Sequence, residues 1–76
     1  MLWYGLVSYD AFTDKFVSEV QLDDGALLDL MGACSMRDED LSGMRIIPRH
    51  IAEDAVLRVG GGLPLHVEWF LEIQSR

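Results

Sequence analysis

The most reactive side chains in this sequence are one thiol, Cys34, and two imidazoles, His50 and His66. A cysteine held beside a histidine is a nucleophile, because the thiolate attacks and the imidazolium stabilises it. The local patterns separate the three groups. Cys34 falls near the end of a short helical pattern, where the helix dipole opposes a thiolate. His50 falls in the first turn of a second helix, and His66 on the polar side of a strand. One cysteine also excludes an internal disulfide, and two histidines are too few for a usual Cys/His zinc set. No catalytic residue, metal site or cofactor is expected from this set.

Asp38-Glu39-Asp40 has the donor chemistry of a calcium loop. Counted from Asp38, Gly43 occupies the sixth position as an EF-hand requires, but the twelfth is Arg49 where a bidentate glutamate is needed. The run reads instead as a solvated acidic loop. Gly60-Gly61-Gly62 has the composition of a phosphate-binding loop. Such loops lie after a strand and before a helix, so that amides and dipole face the phosphate. These glycines follow a helix and precede a strand, which makes them a helix stop and a turn.

Charge and shape remain. The 76 residues carry 13 acidic and 6 basic side chains, a formal charge of −7. That sign opposes unassisted binding to nucleic acid or to an anionic membrane. Half of the chain is hydrophobic and mean hydropathy is +0.16, which is too apolar for a disordered acidic tail. One small domain, residues 1–76, is expected, of a size that a bound partner would help to stabilise. The opening apolar run, Leu2 to Val7, lacks the basic flank and cleavage site of a secretory signal. With a single thiol, a cytoplasmic location is the expectation.

The elements that must position these groups follow from periodicity. Leu2 to Tyr9 alternates, with Trp3, Val7 and Tyr9 on one face and Leu2, Tyr4 and Leu6 on the other. A strand apolar on both sides is central or covered twice. After a loop of about five residues, Lys15 to Leu22 forms the return strand of a hairpin, with Phe16, Val20 and Leu22 on one face and Lys15, Glu19 and Gln21 on the other. Asp23-Asp24-Gly25 supplies a helix N-cap, Leu27, Leu28, Leu30 and Met31 follow at helical spacing, and Gly32 is a stop. Met44 to Ile47 is a short extended stretch, since the residue before Pro48 is pushed out of helical space. Pro48 opens a second helix, with an apolar stripe of Ile51, Ala52, Ala55, Val56 and Val59. Finally Leu65, Val67, Trp69, Leu71 and Ile73 alternate with His66, Glu68, Phe70, Glu72 and Gln74.

The predicted fold is α+β in ββααβ order, a three-stranded β-sheet with two helices on one face. Strand orders 2-1-3 and 1-2-3 both satisfy the pattern, and the two-sided first strand favours the middle position, beside the last strand. The candidate partner-binding residues are the acidic loop Asp38, Glu39 and Asp40, and Phe70 framed by Glu68 and Glu72 opposite the core stripe. Aromatics dominate interface hot spots, and Tyr4 is a second candidate anchor. An alternative role for Phe70 is to pack against Tyr4 or Leu6 across neighbouring strands.

Tyr9-Asp10 and Thr13-Asp14 in the hairpin, Val17 to Val20 after it, the Pro48-led helix and Trp69-Phe70-Leu71-Glu72 run in order along the whole chain. In this arrangement the sequence resembles small acidic bacterial proteins encoded beside polymorphic toxins and suspected to be their immunity proteins. The resemblance supplies no toxin-contacting residue. It implies a non-enzymatic inhibitor that neutralises a cationic toxin, a nuclease by preference, since nuclease clefts are basic and a small acidic protein is steered into them. A phage anti-CRISPR-like mimic of DNA phosphates is the alternative target for the same surface. A structural homo-oligomer is a third, since a dimer could bury the second face of the first strand.

Overall fold

The computed structural model describes residues 1–76. Its sheet has four antiparallel strands, β1 (Leu2–Asp10), β2 (Phe16–Gln21), β3 (Met44–Ile47) and β4 (Val67–Ser75), in the order β2-β1-β4-β3. Two helices, α1 (Asp24–Ala33) and α2 (Arg49–Arg58), complete an α+β domain. The expected three-stranded ββααβ order is therefore corrected to ββαβαβ. The added strand is the extended stretch before Pro48, which pairs with the free edge of β4: Ile46 opposite Phe70 and Ile47 opposite Trp69. The two-sided β1 is central, between β2 and β4, the position its pattern favours.

A single apolar layer joins sheet to helices. Leu6, Ile47, Val67, Trp69 and Leu71 from the strands meet Leu27, Leu30, Met31, Ala52, Ala55 and Val56 from the helices. Leu28 and Leu65, assigned to these stripes by spacing, are exposed instead. Leu28 lies on the far side of α1, and Leu65 precedes β4. His66 between them has a left-handed φ of 58°, so the alternation starts at Val67 and His66 belongs to the turn, where its carbonyl accepts from Ala11 N.

The connections are built from local hydrogen bonds. Asp10 turns the hairpin by accepting from the amides of Phe12 and Thr13 at 2.8 and 2.9 Å. Asp23 caps α1, accepting from Ala26 N at 2.7 Å. Gly32 does not stop the helix. The left-handed residue is Ser35, φ 54°, and the Met36 amide reaches back to Met31 O, the double reversal that ends many helices. In α2 the same device uses Gly60, φ 80°, with Gly61 N bonded to Val56 O. Pro48 is the residue before α2 rather than its first turn.

A bulge between Ser8 and Tyr9 sets the hairpin's faces. Ser8 pairs with Ser18 but Tyr9 with Phe16, so Val17 has no partner and the alternation inverts. Phe16 therefore leaves the face of Val20 and Leu22 and joins Glu19 and Gln21, contrary to simple parity.

Candidate functional site

Both helices cover the Trp69 side of the sheet, and nothing covers the other side. The registers lay that outer face out in rows across the strands. One row is Phe16, Tyr9 and Glu68. The next is Glu19, Val7, Phe70 and Ile46. A third is Gln21, Gly5, Glu72 and Met44, and Trp3 beside Gln74 closes the face. Ile46 is 66% exposed, Phe16 60% and Met44 52%. Phe70 and Tyr9 are half-buried and meet edge to face, with ring centroids 5.6 Å apart. Phe16 stands edge-on to Tyr9 at 6.3 Å.

Phe70, Glu68 and Glu72 are brought together here as the alternation of the last strand predicts. Tyr4 is not. It lies on the helix side, packed against the core, and so cannot act with Phe70. Nor does Phe70 pack on Tyr4 or Leu6; its opposite residue is Val7 and its aromatic neighbour Tyr9. The two flanking carboxylates also differ. Glu68 is exposed and without an ion pair, whereas Glu72 is 8% exposed and committed. Glu72 accepts the Tyr9 hydroxyl at 2.6 Å and the Gln74 amide at 3.1 Å. Gln74 accepts from Arg76, which pairs with Glu19 at 2.7 Å and places its guanidinium 4.0 Å from the centre of the Trp3 ring. This ladder fixes one side of the face. The Glu72 hydrogen bond, followed by burial, pushes the Tyr9 phenol above its ordinary pKa of 10.0.

The acidic loop forms one 3₁₀ turn, Asp38–Asp40, leading into β3. Asp40 has a structural duty, accepting from Arg37 N at 2.9 Å and pairing with Arg45 at 3.6 Å. Glu39 pairs with Arg37 at 3.6 Å, which leaves Asp38 as the free carboxylate of the three. The remaining arginines are also spent inside the molecule: Arg49 on Glu53, Arg58 on Asp29 and Asp54, and Arg76 on Glu19. Six carboxylates are used in these pairs and seven of the 13 are not.

Cys34, His50 and His66 stay apart, on the end of α1, the start of α2 and the turn before β4. Burial raises the Cys34 pKa above its ordinary 9.0, which keeps the thiol protonated. No three His, Cys, Asp or Glu side chains are grouped to hold a metal ion, and no helix is long and apolar enough to cross a membrane.

Sequence reasoning missed Tyr9, Ile46, Met44 and Phe16 as members of the face. For Met44 and Ile46 a signal existed: an extended stretch beginning at Met44 puts both on one side. Comparison of the chain with protein families, curated proteins and solved structures gives no match.

Proposed function

We propose that this protein is a non-enzymatic inhibitor that binds a cationic protein on the outer face of its sheet. The observation that carries this reading is the composition of that face. Apolar groups from three strands, the exposed Phe16, Ile46 and Met44 around the half-buried Phe70, sit among carboxylates, while every arginine is consumed by intramolecular pairs. An apolar centre with a charged surround is the anatomy of a binding patch, and unpaired carboxylates select a basic partner and hasten its approach. A bacterial nuclease toxin, the partner class implied by the resemblance, presents such a surface. In this reading Asp38 adds long-range attraction from the loop before β3, and Tyr4 has no contact role.

The experiment is affinity capture on the immobilised protein at low salt, followed by a salt gradient and an activity assay of the retained protein. The reading expects a basic protein released by salt, with nuclease activity suppressed as the inhibitor is titrated in. Phe70→Ala combined with Ile46→Ser should abolish retention, and folding of that variant is checked by circular dichroism. Equal retention by the double variant would overturn the outer face as the site. A dimer at low micromolar concentration, dispersed by the same substitutions, would assign the face to a second copy.

A further inference from the structure

An open cleft of about 290 Å³ lies on the outer face between Tyr9, Asp14, Met44 and Phe70. Three walls are apolar: two aromatic rings set edge to face, and a methionine thioether that is half exposed on β3. The fourth is a carboxylate. Asp14 is exposed and makes no ion pair and no side-chain hydrogen bond. Its backbone is fixed all the same. Its φ is 60° and its amide donates to Asp10 O at 2.9 Å, so the hairpin loop holds it over the end of β1. Glu68, opposite Tyr9 in the register, adds a second carboxylate without an ion pair beside the same ring.

We propose that this cleft receives an arginine side chain of the basic partner, an inference that rests on the binding function assigned above. An aliphatic stem with a planar cation at its tip matches the walls in order. The methylenes lie on Met44 and Phe70, the guanidinium stacks on an aromatic ring, and its fork of N–H donors meets Asp14. Lysine is the poorer fit, because its compact ammonium is strongly hydrated and has no plane to stack. A neutral or acidic side chain would leave Asp14 unmatched or repelled. The Tyr9 hydroxyl is already committed to Glu72, which keeps that ring in place before anything binds.

The test uses the intact protein and three short probes: acetyl-Gly-Arg-Gly-amide, the same peptide with citrulline, and the same with lysine. Citrulline keeps the shape of arginine and removes its charge. Binding is followed by NMR shifts of the Met44 methyl and the Tyr9 and Phe70 ring protons. The arginine peptide should shift these signals together, the citrulline peptide should bind at least about five-fold more weakly, and lysine should fall between them. Asp14→Asn should bring arginine down to the citrulline level without altering the circular dichroism spectrum. Equal binding of arginine and citrulline, shifts that map elsewhere, or no shift at all would overturn the cleft assignment. The two proposals fail separately. If the captured partner is lost on Phe70→Ala with Ile46→Ser but kept on Asp14→Asn, the outer face stands and the arginine cleft falls.

Discussion

Gly5 lies on the outer face beneath the Trp3 indole, so a methyl group there cannot coexist with the ring. A Cβ built on Gly5 falls inside the indole, within 2.7 Å of three ring carbons, and Trp3 must leave its place. Trp3 is a buried residue on the uncovered side of the sheet, and Arg76 stacks on it. A tryptophan buries about 150–250 Å², so re-exposing half of it costs about 2–3 kcal/mol at roughly 25 cal/mol per Å². Losing the cation–π contact adds about 0.5–1 kcal/mol. Alanine returns about 0.4–1 kcal/mol by restricting the unfolded chain. Gly5→Ala should therefore destabilise the domain by about 2 kcal/mol, a fall in Tm of roughly 10 °C for a chain this short. The assay is urea denaturation followed by far-UV circular dichroism, because one of the two tryptophans is the perturbed group. The decisive comparison is a double-mutant cycle with Trp3→Ala. Once the indole is gone, Gly5→Ala should be neutral or stabilise slightly. An equal cost in both backgrounds would refute the argument and place the need for glycine in the backbone.

Ser35→Gly should raise stability by about 0.5–1 kcal/mol, since φ at Ser35 is 54° and glycine avoids the left-handed penalty, while Gly60→Ser at φ 80° should lower it by a similar amount; thermal unfolding of both variants checks the pair. The Asp10 carboxyl, held by hydrogen bonds from Phe12 N and then Thr13 N, should titrate below its ordinary 3.8 when followed by NMR. A lowered folded pKa gives stability that is complete above 3.8 and lost as pH falls through the folded value, so Asp10→Asn should flatten that acid limb. The Tyr9 phenol should ionise above its ordinary 10.0 when followed by NMR of its ring protons. A raised folded pKa gives stability that is present below 10 and lost as pH climbs through the folded value, and Tyr9→Phe should remove that loss.

Alternation made the Trp69 stripe and the place of Phe70 on the opposite face legible from residue order alone, and it favoured the central place of β1 over an edge without deciding it. What alternation could not settle was the orientation of β1. With Trp3, Val7 and Tyr9 on one side and Leu2, Tyr4 and Leu6 on the other, both sides qualify for the core. Tyr4 thus looked as available as Phe70, and only the pairing of Leu6 with Leu71 places Tyr4 among the helices. Phe16 was hidden for a different reason. A one-residue bulge at Val17 inverts parity, and no residue type near it demands a bulge. The extended course of Met44 to Ile47 was legible before Pro48, but its place in the sheet was not, because four residues do not establish a period and their pairing depends on the open edge of β4.

In the proposed binding function, charge accounting separates the acidic loop from the carboxylates of the sheet. Asp38-Glu39-Asp40 is the densest acidic run in the chain, yet two of its three carboxylates are occupied by Arg37 and Arg45. Glu68 and Asp14 belong to no such run and are free. What distinguishes them is their company, exposed aromatic and aliphatic groups whose positions follow from the sheet. A carboxylate in open water gives a partner little net energy, because solvent screens it. Placed beside Phe70 and Tyr9, it lies where a docking partner would exclude water, and there the same charge discriminates between basic and neutral side chains. The strength of binding should therefore depend more on Asp14 and Glu68 than on Asp38, with the loop affecting mainly the rate of encounter. Neutralising Asp38 should slow association and leave dissociation unchanged. Neutralising Asp14 should speed dissociation. The reverse pattern in a surface plasmon resonance measurement would move the interface from the sheet to the loop.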